Sequence, residues 1–366
     1  MKILYCVNIP SPYRVDYFNE LGKYCELTVC FERNTSSERD SRWVAAAAKH
    51  YRAVNLNLRP FSYDRTISFG LLYYVRKSDA DIIVLANYYS PSAMLAISYC
   101  RLTGKKFYME GDGGFFEYDS FPKKLLKKWL ILGSTGYFTT CDESIKYLKY
   151  LGYREDRIYK YPFSSIKETE IVSTSQLTST FRSNKRSQLG IPEEKVVIAV
   201  GRFIPLKCFD VLIDAFARLK TQNAGLYIIG GIPTQEYIDQ VSALKLNNVH
   251  FVGFKTKAEL FEYYDAVDVV AFPTRKDVWG LITNEAMAHG KPVVATNGCG
   301  SALEMIKEGE NGYIVPIKNC DALAKAIDRV LSDGCEKYSD ACVETAHRYT
   351  IETMVDAHLK VWGIKQ

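Results

Sequence analysis

The sequence predicts an α/β fold built as two similar halves. Three observations carry this reading. Short apolar runs alternate with helical stretches along both halves of the chain. The runs are apolar throughout rather than at every second residue, as in strands buried on both faces of a parallel sheet. A polar stretch rich in Ser and Thr, 166–190, interrupts the alternation once and reads as a linker.

The elements follow in order. KILYCVN is a buried strand stopped by IPSP, and RVDYFNELGKY is a helix. ELTVCFE and DIIVLAN are further strands, and SAMLAISYCRLTG is a helix. KKFYMEGDGG is a strand running into a glycine-rich loop, with GYFTTCD and RIYKYPF as later strands. After the linker, KVVIAVG is a strand, CFDVLIDAFARLK an amphipathic helix and GLYIIGG a strand. NVHFVGF, VDVVAFP, PVVAT and GYIVP are four more short strands. DALAKAIDRVLSDG and IETMVDAHLKVWGI close the chain as helices. Two such halves on one linker predict a cleft between them, with ligands at the carboxyl ends of the strands.

Composition narrows the function classes. A net charge of +5 over 366 residues is too weak to argue for nucleic acid. The ten cysteines include no C-x-x-C pair and no zinc spacing, so they read as reduced buried thiols. The N-terminus, MKILYCVNIPSP, does not read as a signal peptide, and no apolar run is long enough for a membrane span. The 26 Tyr and 18 Phe, many of the Tyr in the first half, anticipate a surface that contacts flat, greasy or sugar-like groups.

Three stretches carry the chemistry. In GRFIPLK, Gly201 lets the backbone turn after its strand, which places Arg202 and Lys207 at the strand's carboxyl end. A guanidinium fork and an ammonium suit a diphosphate, although alone they read more readily as an ordinary exposed surface pair. In DVWGLITNEAMAHGKPVVA, Asp277 precedes a helix expected from about Gly280 to Gly290, and Glu285 lies within it. Two acids there suit the hydroxyls of a sugar nucleotide; Asp277 alone could equally be a helix cap. Amides at Gly298, Cys299 and Gly300 form a further anion-ready cluster ahead of a helix.

As a set, VGRFIPLKCFDVLIDAFARL, LYIIGG, VHFVGF, VVAFPTRKDVWGLITNEAMAHGKPVVAT and EMIKEGENGYIVP resemble the C-terminal half of family 4 of the retaining glycosyltransferases. The first half, with NIPSPYRVDYFNEL, NYYSPSAMLAISYCRLTGKKFYMEGDGGFF and YKYPFSS, is similar to bacterial enzymes of capsule and O-antigen assembly. The resemblance implies the GT-B fold, two Rossmann-like domains facing each other across a cleft. It implies an acceptor-binding domain at 1–165, the linker at 166–190, a nucleotide-sugar domain at 191–345, and a C-terminal helix, 346–366, returning to the first domain. The family's acid-x7-acid motif falls on Asp277 and Glu285, the second acid on the ribose and the first on the donor sugar. The usual Glu is shortened here to Asp277. Arg202 and Lys207 match the diphosphate-binding pair, and Cys208 stands where a glycine usually follows the lysine. Gly201, Phe254 and the backbone near Gly280, Leu281 and Ile282 complete the donor site.

The resemblance places Asn8, Tyr13, Arg14, Glu110 and Asp112 on the acceptor side. Glu110 or Asp112 stands where the family often has a catalytic His; the stretch is equally a turn built from GDGG. The implied reaction moves a hexose from a nucleotide sugar, UDP-linked, to a lipid-linked glycan acceptor, with retention and without a metal or other cofactor. No D-x-D triplet reads as a metal site. The alternatives are a sugar-nucleotide 2-epimerase of the same fold and a catalytically silent carbohydrate-binding subunit. FPKKLLKKWLIL, in 121–132, alternates basic and apolar residues with Lys123, Lys124, Lys127 and Lys128 on one face. It reads as a peripheral membrane contact or as a helix packed on its own domain. Contact with the inner face of the plasma membrane implies a cytoplasmic protein.

Overall fold

The computed structural model describes residues 1–34, 45, 47–56, 58 and 67–364. It divides into two compact units, Met1–Ser165 with Thr350–Gln366, and Ile166–Tyr349.

The first unit runs β1 (Lys2–Val7), α1 (Pro12–Leu21), β2 (Glu26–Phe31), β3 (Arg52–Asn55), α2 (Gly70–Lys77), β4 (Ile82–Leu85) and α3 (Pro91–Thr103). It continues through β5 (Tyr108–Glu110), α4 (Phe121–Ile131), β6 (Gly136–Thr139), α5 (Asp142–Leu151) and β7 (Ile158–Lys160). The strands form one parallel sheet in the order β3-β2-β1-β4-β5-β6-β7. Its middle strands are buried on both faces, which is why they read as unbroken apolar runs. On one face Leu4, Ile83, Leu85 and Met109 pack with Ala96, Ile97 and Leu148 of the covering helices.

The second unit runs α6 (Ser179–Leu189), β8 (Lys195–Val200), α7 (Phe209–Phe216), β9 (Ala224–Ile229), α8 (Gln235–Ala243), β10 (Val249–Val252) and α9 (Lys257–Ala266). It continues through β11 (Val269–Phe272), α10 (Ile282–Ala288), β12 (Val293–Thr296), α11 (Gly300–Met305), β13 (Gly312–Val315), α12 (Cys320–Asp333) and α13 (Glu336–His347). Its strands form a second parallel sheet, β10-β9-β8-β11-β12-β13. The strand order reverses between β8 and β11, the switch point at which open α/β sheets bind ligands. Helix α14 (Ile351–Val361) packs against α1 and belongs to the first unit.

Three expectations change. The stretch 166–190 is not a featureless linker. It lies in the second unit and contains α6, with Thr178 capping the first turn and Gly190 in the left-handed conformation at its end. The helix is fixed by charge rather than by an apolar stripe. Arg182 Nε lies 2.9 Å from Asp268 Oδ1, and Arg186 reaches Asp268 Oδ2 at 2.6 Å. The change back to the first unit falls between Tyr349 and Thr350, so α13 stays with the second.

Helix α4 is also different from a simple two-faced pattern. Leu130 and Ile131 are buried, but Phe121 is 80% and Leu125 60% exposed, with Trp129 also open to solvent. Lys127 is drawn off the basic face by Asp119, 3.0 Å away, and Lys124 sits 3.6 Å from the centre of the Tyr150 ring. No helix among the described residues is long and apolar enough to cross a membrane. All ten cysteines are free thiols.

Candidate active site

The loops after β8 and β11 meet at the switch point of the second sheet. Gly201 leaves β8 at φ 155°, and its backbone lies against Gly230 at the end of β9. A Cβ on Gly230 would stand 1.6 Å from the Gly201 carbonyl oxygen, so both positions require glycine. The chain then passes half-buried Arg202 and makes a single 3₁₀ turn, Pro205–Lys207. Cys208 takes φ 50° and ψ 44°, the left-handed conformation in which a glycine would be unstrained. Its side chain is buried and donates weakly to the Pro205 carbonyl at 3.5 Å.

This turn delivers Lys207 to the other loop. Lys207 Nζ lies 2.5 Å from Asp277 Oδ2 and 5.0 Å from the centre of the Phe272 ring. The two loops are also laced by backbone: the Leu206 carbonyl accepts from Arg275 N at 2.7 Å and from Thr274 Oγ1 at 3.0 Å. Gly280, at φ 94°, packs so tightly on Phe272 and Cys299 that a Cβ would come within 2.5 Å of the ring. Ser301 Oγ donates to its carbonyl at 2.8 Å and lies 2.8 Å from Thr283 Oγ1.

Helix α10 begins there, with Leu281 at its cap and Ile282 as its first residue. It has seven residues. Glu285 is half-buried one turn in, and its Oε2 accepts from Tyr264 Oη at 3.1 Å. Phe254 is half-buried just beyond β10. The loop Gly298-Cys299-Gly300 is no anion cradle. Cys299 N donates to the Thr296 carbonyl and Gly300 N to that of Asp277, so both amides serve the loops themselves.

The first unit gathers its charges differently. Glu110 ends β5 and is buried. Buried Arg14 of α1 makes ion pairs with both Glu110 and Asp112. Burial works against the Arg14 charge, and the Asp112 carboxylate together with the surrounding tyrosines outweighs it, holding the guanidinium pKa above its ordinary value. Tyr161 Oη donates to Glu110 Oε1 at 3.1 Å. His358 of α14 closes the cluster, its Nε2 3.6 Å from Glu110 Oε2. Its Nδ1 donates to the Met354 carbonyl at 2.8 Å. Burial raises the Glu110 pKa, and the contacts with His358 and Tyr161 only partly reverse this.

Glu110 and Arg14, both expected on the acceptor side, are buried and paired with each other. Asp112 keeps 41% of its side chain exposed. Asn8 and Tyr13 are half-buried; Asn8 Nδ2 donates to Tyr89 Oη at 3.0 Å, and the Tyr13 ring packs edge-on against Phe163.

Residues Tyr264, Gly230 and His358 were not foreseen. The double glycine of LYIIGG was the signal for Gly230. Tyr264 stood in an apolar stripe, and nothing local marks His358.

Comparison with known proteins bears on the second unit most directly. Residues 181–349 match the family model described as glycosyl transferases group 1. An uncharacterized glycosyltransferase of Methanocaldococcus jannaschii is 33% identical over 189 residues, 50% of this chain and 48% of that protein. The capsular polysaccharide biosynthesis glycosyltransferase CapM of Staphylococcus aureus is 32% identical over 141 residues, 38% of this chain and 37% of that protein. These matches span half or less of the length of the curated relatives. In fold, HepE of Anabaena, solved in complex with UDP, aligns over 99% of this chain and 100% of its own at a TM-score of 0.78 and 20% identity.

Proposed function

We propose that the protein, whose residues 181–349 match the model of glycosyl transferases group 1 in a chain of GT-B fold, transfers a hexose from a UDP-linked sugar to a glycan acceptor. One observation carries the reading. Lys207 and Asp277, 70 residues apart, are brought together at the switch point of a parallel sheet, with Arg202 on one loop and Glu285 on the helix that follows the other. The UDP bound by HepE and the capsular role in the name of CapM support the donor and product classes.

In this reading Glu285 receives the ribose hydroxyls and Asp277 those of the hexose. Arg202 and Lys207 meet the diphosphate. The bond from the sugar's anomeric carbon to the β-phosphate oxygen breaks, and the electron pair leaves with the nucleotide. Fixed cations stabilise that developing charge, with no metal required. The acceptor oxygen bonds to the anomeric carbon on the leaving-group face, and its proton passes to the departing phosphate. Configuration is thereby retained. The Lys207–Asp277 pair means that donor binding must redirect Lys207 toward phosphate, which frees Asp277 for a hydroxyl.

The acceptor is a lipid-linked glycan at the inner face of the plasma membrane. The support is α4, where exposed Phe121, Leu125 and Trp129 stand beside Lys123 and Lys128. Flotation with anionic liposomes is expected to carry the protein upward, and Leu125→Asp with Trp129→Ser to abolish this. No flotation of the native chain leaves a soluble acceptor.

A silent carbohydrate-binding subunit is the second reading, favoured by the shortened acid already held by Lys207. Mass-resolved nucleotide release across uridine- and guanosine-linked sugars separates the two. Release of a nucleoside diphosphate that Arg202→Ala and Lys207→Ala abolish supports transfer. No release from any donor supports the silent reading.

A further inference from the structure

Helices α9 and α10 are joined by two adjacent polar links. Asp265 Oδ1 lies 2.7 Å from His289 Nδ1, at the base of α10. One residue earlier, Tyr264 reaches Glu285 Oε2 at 3.1 Å, a turn higher. Tyr264 is wholly buried, its ring 5.7 Å from that of His289. Burial and the adjacent Glu285 carboxylate push the phenol pKa well above its ordinary value, so the hydroxyl remains a donor. A buried ring has one conformation available, and its hydroxyl therefore fixes one oxygen of a half-buried carboxylate.

We infer that Tyr264 is a positioning residue for Glu285 and sets the protein's preference for a ribonucleotide over a deoxyribonucleotide. The inference rests on the proposed donor site and deepens it. A carboxylate selects a ribose by accepting from its neighbouring hydroxyls. That selection depends on how well the carboxylate is held before the ligand arrives, because a site built to bond a hydroxyl rejects the analogue lacking it. Tyr264→Phe keeps the buried ring and deletes one donor.

The test is calorimetric binding of UDP and 2′-deoxy-UDP to the full chain, its Tyr264→Phe and Glu285→Gln variants, and the double variant. Tyr264→Phe is expected to weaken UDP by about five- to tenfold while changing 2′-deoxy-UDP by less than about twofold, from the typical net strength of an intramolecular hydrogen bond. In the Glu285→Gln background it is expected to change neither. Equal weakening of both nucleotides assigns Tyr264 to packing alone and overturns the inference. So does an undiminished preference for UDP in Tyr264→Phe. A native chain that binds UDP with no ribose preference, or does not bind it, overturns the donor-site reading itself; a failure confined to Tyr264→Phe leaves that reading intact.

Discussion

The two sheets end in similar ways and use their charges in opposite ways. Each has a strand-order reversal beside its first strand, β1 in one unit and β8 in the other. In the first unit Asn8 meets Tyr89 there, and the buried Glu32 carboxylate accepts from Asn87 and Ser90 of the loop after β4. Further along, Arg14 and Glu110 are buried together with His358, and Asp112 joins them with part of its side chain exposed. In the second unit the switch point itself carries the ions, and Lys207 and Asp277 both remain partly exposed. Buried ions are committed to the fold, because removing one partner strands the other in a poor solvent. Partly exposed ions can exchange partners for a ligand. The comparison therefore separates residues that hold the protein together from residues that can do chemistry.

The largest test is on the buried side. Arg14→Ala leaves Glu110 and Asp112 without their cation, and is expected to destabilise the first unit by about 3–5 kcal/mol in denaturant titration. Lys207→Ala is expected to cost less than about 1 kcal/mol of stability while lowering turnover by about 10²–10³-fold. If Arg14→Ala is neutral for stability and Lys207→Ala unfolds the chain, the comparison is inverted.

A smaller test concerns the anchor of α4. Burial pushes the Asp119 carboxyl up, but hydrogen bonds from Tyr147, Lys127 and Lys123 outweigh it and leave the pKa below its ordinary 3.8. A depressed carboxylate stabilises the fold above its unfolded pKa and loses that contribution as pH falls through the folded value. Asp119→Asn is expected to cost about 1–2 kcal/mol at neutral pH, and to narrow that deficit as pH falls below about 4, read from thermal unfolding across that range. The smallest effect is at Cys208, where Cys208→Gly relieves about 1 kcal/mol of left-handed strain but removes a buried thiol and loosens the unfolded chain. A net change in stability within about 1 kcal/mol is expected, with turnover retained.

Much of this was legible from local pattern. The strands are short and buried on both faces, so their apolar runs named them. Arg202 and Lys207 were readable because the strand before them ends in a glycine. Partnership was not readable. Lys207 meets Asp277 only because β8 lies beside β11, and strand order is not a local property. Glu110 looked accessible in a loop of Gly and Asp, but Arg14 and His358 come from distant helices to bury it. Helix α6 was missed because its two arginines reach Asp268 instead of presenting an apolar stripe; its end signals, Thr178 and Gly190, were present in the sequence.

Hydrogen exchange with and without UDP tests the central assignment most directly. The assignment predicts slowed exchange in peptides covering 201–208 and 274–288 when UDP is added. No change in either peptide, or protection confined to the segment around Glu110 and Asp112, would contradict it.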